Sequence, residues 1–312
     1  MKESKQRGAA LVIVLGMVAL VSAWAATAIE EDWISLRQAE NMTLSTQAWM
    51  AAESGLELAR VVLREDANDS DTDDLSEIWA QPTPPFAVDE GAVTGAIMDA
   101  NRYINLNDLV DANGEVQDDM VAMLRRLFML IDIPDSLADA LADWIDADNA
   151  PYGAYGAESP AYADKSYDVK NAPLDRLEEV LLVDGFEADM LEALRGVVVV
   201  RPGNGITPVN INTAQAEVLM ALTDAISQSD VDAILEERQS SPYASVQELT
   251  TQPRFAAWAA GLNVARLSVI SDAFIVHAIA RFGRVQWGEE MMLGRQGAAT
   301  RVIYRQRMGW NS

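Results

Sequence analysis

From Ala9 to Ile29 the chain runs for 21 residues without a charge or a proline. As a helix rising about 1.5 Å per residue, the run is about 31 Å long, enough to cross a hydrocarbon core of about 30 Å. Its flanks have opposite sign. Lys2, Lys5 and Arg7 precede it, and Glu30, Glu31 and Asp32 follow it. The positive-inside bias keeps the short leader in the cytoplasm and sends the remainder across the membrane. A secretory signal peptide is the plain alternative, with Ala23-Trp24-Ala25 as its small-residue cleavage site. Two details oppose it. The apolar run is longer than a usual signal core, and the charged leader ends in Gly8, directly against that run.

Beyond the anchor, composition excludes several chemistries. The chain has no cysteine, which removes disulfides, thiolate metal sites and cysteine nucleophiles. Its one histidine, His277, excludes multi-histidine zinc sites. It lies in the apolar run IVHAIA and reads as a packed sheet residue, not a catalytic base. The net charge of −25 argues against broad binding to nucleic acid, whose phosphates need basic surface. That charge is uneven: the leader and residues 266–312 are basic, so the acidic excess lies within 30–265.

Periodicity divides the chain further. No proline occurs before Pro82, and Trp33, Leu36, Met42, Leu44, Trp49, Leu56 and Leu63 form an apolar stripe at loose helical spacing. Residues 9–64 are expected to form one rod of about 80 Å. DANDSDTDD (66–74) lacks the glycine and terminal glutamate of an EF-hand and reads as a solvated linker. Strand material spans 86–106. Helices are expected near 118–132, 135–146, 173–182, 187–195, 229–238, 245–250 and 254–260, with another begun by Asn212 or Thr213 as its cap. A Pro-Gly turn is expected at 202–203. Alternating strands return over 266–310, with turns at Gly283 and Gly294 to Gly297.

One acidic cluster stands out. Asp143, Asp146 and Asp148 gather at the end of a predicted helix, followed by Glu158 and Asp164 in a loop rich in Gly, Ala and Tyr. Carboxylates crowded at a helix C-terminus repel one another and oppose its dipole. A hard cation removes both penalties, and calcium accepts six to eight oxygens in flexible geometry. Asp146, Asp148 and Glu158 are the best direct ligands, with Asp143 and Asp164 beside them. Magnesium is less suited, since it keeps its waters. An acid–base pair for hydrolysis could be drawn from the same residues, but nothing else in the chain supplies a substrate groove. The stretch VNINTAQAEVLMAL resembles the opening of a DNA-binding helix-hairpin-helix. The hairpin position, Leu222 to Ile226, holds Asp224 and no glycine.

The leader and the apolar run, RGAALVIVLGMVAL, resemble a type IV prepilin leader. The resemblance implies cleavage after Gly8 by a prepilin peptidase and an N-methylated Ala9. Ala9 stands where major pilins carry phenylalanine, and Ile13 where most carry glutamate. A subunit without that glutamate cannot pair with its neighbour's terminal amine, which suggests a place at a filament end. INLNDL, DWIDADNAPYGAYGAESPAY, KNAPLDRLEEVLLVDGF and VNINTAQAEVLMAL then follow in the order found in one family. The chain is identified as resembling the type II secretion minor pseudopilins of the K type.

That resemblance implies an α+β, pilin-like fold: a long N-terminal transmembrane helix and an antiparallel sheet, interrupted by a large helical insertion of two SAM-like lobes. The expected division is leader 1–8, membrane helix 9–29, remaining helix and first strands 30–106, a first lobe with the calcium loop 107–207, a second lobe 208–262, and C-terminal strands 263–312. It further implies a non-enzymatic, single-pass inner-membrane protein with a periplasmic domain that binds calcium. The implied partners are the I-type and J-type minor pseudopilins, the major pseudopilin, the prepilin peptidase and the inner-membrane assembly platform, with secretin or cargo contacts beyond. Together with the I and J types, it would cap the pseudopilus tip. A minor subunit of a type IV pilus or competence system, or a soluble periplasmic calcium-binding protein, are the alternatives.

Overall fold

The computed structural model of the chain describes residues 3–202, 205–259 and 261–309. Lys2 of the leader, Gly203 of the expected turn and Ala260 of the last expected helix lie outside them. Helix α1 runs from Glu3 to Asp69, 67 residues and about 100 Å. Gly8 and Ala9 both lie within it. The described part of the apolar run is exposed along its length, and one helix is long and apolar enough to cross a membrane.

The second half of α1 packs on a sheet by only part of the expected stripe, Leu44, Leu56 and Leu63. Trp33, Leu36, Met42 and Trp49 face outward. The buried row is Ala48, Ala51, Ala52, Leu56, Ala59 and Leu63. Its spacing of three and four is helical, and its small side chains let the backbone come close to the strands. Gly55 marks the closest approach: a Cβ there would lie 3.2 Å from Val93 Cγ1.

Among the described residues, nine strands follow. They are β1 (Phe86–Val88), β2 (Gly91–Asp99), β3 (Ile104–Asn105), β4 (Val198–Val199), β5 (Val209–Asn210), β6 (Leu267–Ser268), β7 (Ala273–Phe282), β8 (Val285–Gln296) and β9 (Ala299–Arg307). The main sheet is antiparallel in the order β1-β2-β7-β8-β9. Strand alternation puts Phe274, Val276, Ala278, Ala280 and Phe282 of β7 into the core beneath α1. The β7–β8 turn uses Gly283 at φ +53°, as the sequence predicts. The next turn rests on Gly297 alone, at φ +55°. Gly294 instead lies inside β8, opposite Ala273 and Arg301. His277 sits half-buried on β7, with its Nε2 2.7 Å from Glu290 Oε2.

Between β2 and β7 lies the insertion. It holds α2 (Asp118–Leu130), α3 (Leu137–Ile145), α4 (Ala188–Leu194), α5 (Ala216–Ala221), α6 (Gln228–Ser240), α7 (Val246–Thr250) and α8 (Ala256–Ala259). The helix expected near 173–182 is a 3-10 segment over Leu177–Leu182. One apolar core joins both halves, from Phe128, Leu141 and Trp144 to Val218, Ile234 and Trp258. Entry and exit of each half lie side by side, because β3 pairs in parallel with β4 and β5 with β6. An insertion that begins and ends at one place leaves the register of β2 on β7 undisturbed.

The two halves also open on the same device. Asn107 donates from Nδ2 to Leu174 O at 3.0 Å and accepts from Leu174 N at 2.8 Å. Asn212 does the same with Tyr243 O and Tyr243 N, at 3.0 and 2.9 Å. Asn212 is therefore not a helix cap. α5 starts later, after Gln215, because the asparagine amide is committed to another strand of backbone. The expected solvated linker at 66–74 is also corrected. Asp73 and Asp74 are buried, with Asp73 accepting from Ser271 N at 2.7 Å and from Arg295.

Candidate metal centre

Helix α3 is buried along almost its whole length, including two of its acids, Asp139 and Asp143. Burying carboxylates is costly unless each has a partner. Asp139 has one: Arg125, reaching across from α2, forms an ion pair with it. Asp143 is one helical turn further on. Its Oδ1 accepts from Tyr152 N at 2.8 Å, and its Oδ2 has no partner. Asp146 caps the helix end, where its N–H closes on Ala142 O at 2.9 Å and its Oδ1 is left unsatisfied. Glu158 is brought back by the intervening loop, and neither of its carboxylate oxygens has a partner.

Asp143, Asp146 and Glu158 thus converge, each offering an oxygen within 4.8 Å of the others. All three are buried. Among the described residues none of them forms an ion pair with a lysine or arginine, since Arg125 is spent on Asp139. The other two sequence-predicted ligands are placed differently. Asp148 is exposed, and its Oδ1 accepts from Ala150 N at 2.6 Å, holding the loop's turn. Asp164 is exposed and outside the converging group.

The loop's glycines are part of the construction. Gly153 adopts φ +63°, and a Cβ there would lie 2.5 Å from Asp139 Oδ2. A Cβ at Gly156 would collide with Asp143 Oδ2 and with the Tyr152 backbone at 2.6 Å. Tyr152 and Gly156 escaped the sequence reading, although the repeated Tyr-Gly of PYGAYG signals backbone passing close to something. The loop is tied down at its far side by Asn171 Nδ2, which donates to Asp148 O at 2.5 Å and to Asn149 Oδ1 at 3.1 Å.

Electrostatics agree with the geometry. Burial pushes the Asp143 carboxyl up to about 6, with the charges of Asp139 and Asp148 adding to it. Asp146 is pushed up to about 7, by burial first and then by Asp143, Asp148 and Glu158. Glu158 is raised for the same reasons. Four orphaned carboxylate oxygens in one buried place, all hard donors, fit a hard divalent cation and no softer one.

Two family models, both described as type II secretion system protein K, match residues 103–203 and 209–269. A type II secretion system protein K of Pseudomonas aeruginosa is 33% identical, over 78% of this chain and 76% of its own length. One from Pectobacterium carotovorum is 28% identical over 99% of this chain and 98% of its own. A chain of the crystal structure of the GspK-GspI-GspJ complex from enterotoxigenic Escherichia coli superposes with a TM-score of 0.76 at 22% identity. That alignment covers 87% of this chain and 99% of the other. It shows the same fold over the aligned part of this chain.

Proposed function

The chain belongs to the type II secretion system protein K family, and from that premise we propose that it caps the tip of the pseudopilus. It is a minor pseudopilin of that system, and its partners are the I-type and J-type minor pseudopilins. The observation that carries the tip position is the insertion. A plain pilin needs only α1 and a sheet, whereas this head adds residues 100–272 on top of them. A head of that bulk clashes with any subunit stacked above it, so the subunit can end a filament but not repeat along it. Ile13, an apolar residue where a shaft subunit carries its pairing glutamate, supports the same end position.

The remaining assignments follow from that reading. The exposed apolar half of α1 is the inner-membrane anchor, and the head is periplasmic. Processing falls between Gly8 and Ala9. The role is structural: the buried carboxylates are closed under their own loop and serve packing, not turnover. Asp143, Asp146 and Glu158 hold a calcium ion, with the charge of Asp148 acting on Asp146 from beside them. Bound calcium supplies the positive charge that the cluster lacks, so that all three acids stay ionised when buried. Tyr152 N and Gly156 position Asp143 for it.

Co-purification tests the reading. Tagged chain, expressed with its own I-type and J-type subunits, is expected to bring both down in equal amounts. Recovery of the chain alone, or with major pseudopilin in excess, overturns it.

A further inference from the structure

The acidic stretch at 66–74 does not stay in solvent. It folds back at the end of α1, where Asp66, Asp73 and Glu77 each offer an oxygen within 4.8 Å of the others. Asp73 is 1% exposed, and its Oδ1, within this group, has no hydrogen-bond partner. Arg295 of β8 enters the same place. It takes Asp66 Oδ2 at 2.9 Å, Asp73 Oδ2, and Ser271 O at 3.0 Å. Glu77 spends Oε2 on Asp74 N at 3.1 Å and on Trp79 Nε1 at 2.7 Å. Of the oxygens that remain, Asp73 Oδ1 is buried and unsatisfied.

We propose that Asp66, Asp73 and Glu77 form a second hard-cation site, taking a divalent ion of the calcium class at the neck where α1 ends, beyond its packed row. The charge count favours it. Three ionised acids face one guanidinium, so the place carries two net negative charges, which one divalent ion balances. The donors are all carboxylate oxygens, with no histidine or cysteine, which suits calcium and not zinc. Arg295 alone leaves the group short of charge, and Asp73 Oδ1 stays buried without a partner beside it. An ion here joins the last turns of α1 to the segment 73–77 and, through Arg295, to β8. It would fix the C-terminal end of α1 against the sheet.

The test uses full-length chain in detergent, with calcium equivalents counted by equilibrium dialysis. Glu77→Gln is expected to bind one equivalent fewer than wild type. Asp66→Asn carries the same expectation should Glu77→Gln fail to fold by circular dichroism. Glu158→Gln is expected to keep the neck equivalent. In that background, terbium emission excited through indole should fall when Trp79→Phe is added, because Trp79 touches Glu77. Unchanged stoichiometry in both neck variants overturns the proposal, as does emission indifferent to Trp79. Should Glu158→Gln lose no equivalent, the insertion's calcium assignment fails, and the neck comparison is read as before.

Discussion

Two groups of three acids fold into this molecule, and they are neutralised differently. In the insertion, Asp143, Asp146 and Glu158 are all buried and have four orphaned oxygens. At the neck, Arg295 pairs with Asp66 and Asp73 but not with Glu77, and one buried oxygen, Asp73 Oδ1, is left without a partner. Among the described residues the first group has no basic partner, and the second carries part of its own positive charge. The difference suits their positions. The neck joins α1 to β8 across 229 residues of sequence and needs a contact that forms on folding, whatever the medium. The insertion's group closes a local loop, where an ion from solution can do the same work.

Removing the built-in charge should have the largest effect. Arg295→Ala strands Asp66 and Asp73 without their guanidinium, and breaking a buried ion pair costs about 3–5 kcal/mol. Urea unfolding should show that loss with or without calcium, more strongly when a chelator is present. A loss under about 1 kcal/mol would mean that the neck is not held by this arginine.

Chelation is next. Calcium at about 100 times its Kd should raise the stability of the wild-type head by about 2.7 kcal/mol for each site that binds it only when folded. Glu158→Gln should invert the comparison. Without calcium it relieves repulsion and is expected to melt higher than wild type, and with calcium it should melt lower. The same ordering in both conditions would contradict the assignment.

The pH dependence sharpens this further. Asp146 has its carboxyl raised from 3.8 to about 7, so between those values the folded, calcium-free protein binds more protons than the unfolded chain. Its contribution is therefore fully favourable below about pH 4 and is lost as the pH rises through about 7. In chelator, this group makes the melting temperature fall across that window. Calcium should flatten the fall, because it stabilises the ionised form.

Two smaller effects complete the series. Asn212→Ala orphans Tyr243 N and O and should cost about 1–3 kcal/mol, with Asn107→Ala as its counterpart at Leu174. Asp164→Asn, outside the converging group, should stay within about 0.5 kcal/mol and leave calcium binding unchanged.

Much of this was legible in the residues. The strand alternation around His277 was legible, and the helices expected near 118–132 and 135–146 are found over 118–130 and 137–145. Less was legible where long-range contacts decide. Asp148 and Glu158 read alike in sequence, but only Glu158 is carried into the buried group. The DANDSDTDD stretch reads as polar linker because its partner, Arg295, is far away in the chain. Asn212 reads as a cap because its backbone partner, Tyr243, lies beyond two helices. On α1 the large side chains suggested the packing face. The sheet takes Leu56 and Leu63 from that set and, where approach is close, the alanines.

The most direct measurement of the central claim is the position of the subunit in an assembled pseudopilus. A gold label on the C-terminus of the chain should appear once, at one end of each fibre, together with the I-type and J-type subunits. Labels spaced along the shaft would show that the insertion does not block stacking, and would contradict the account.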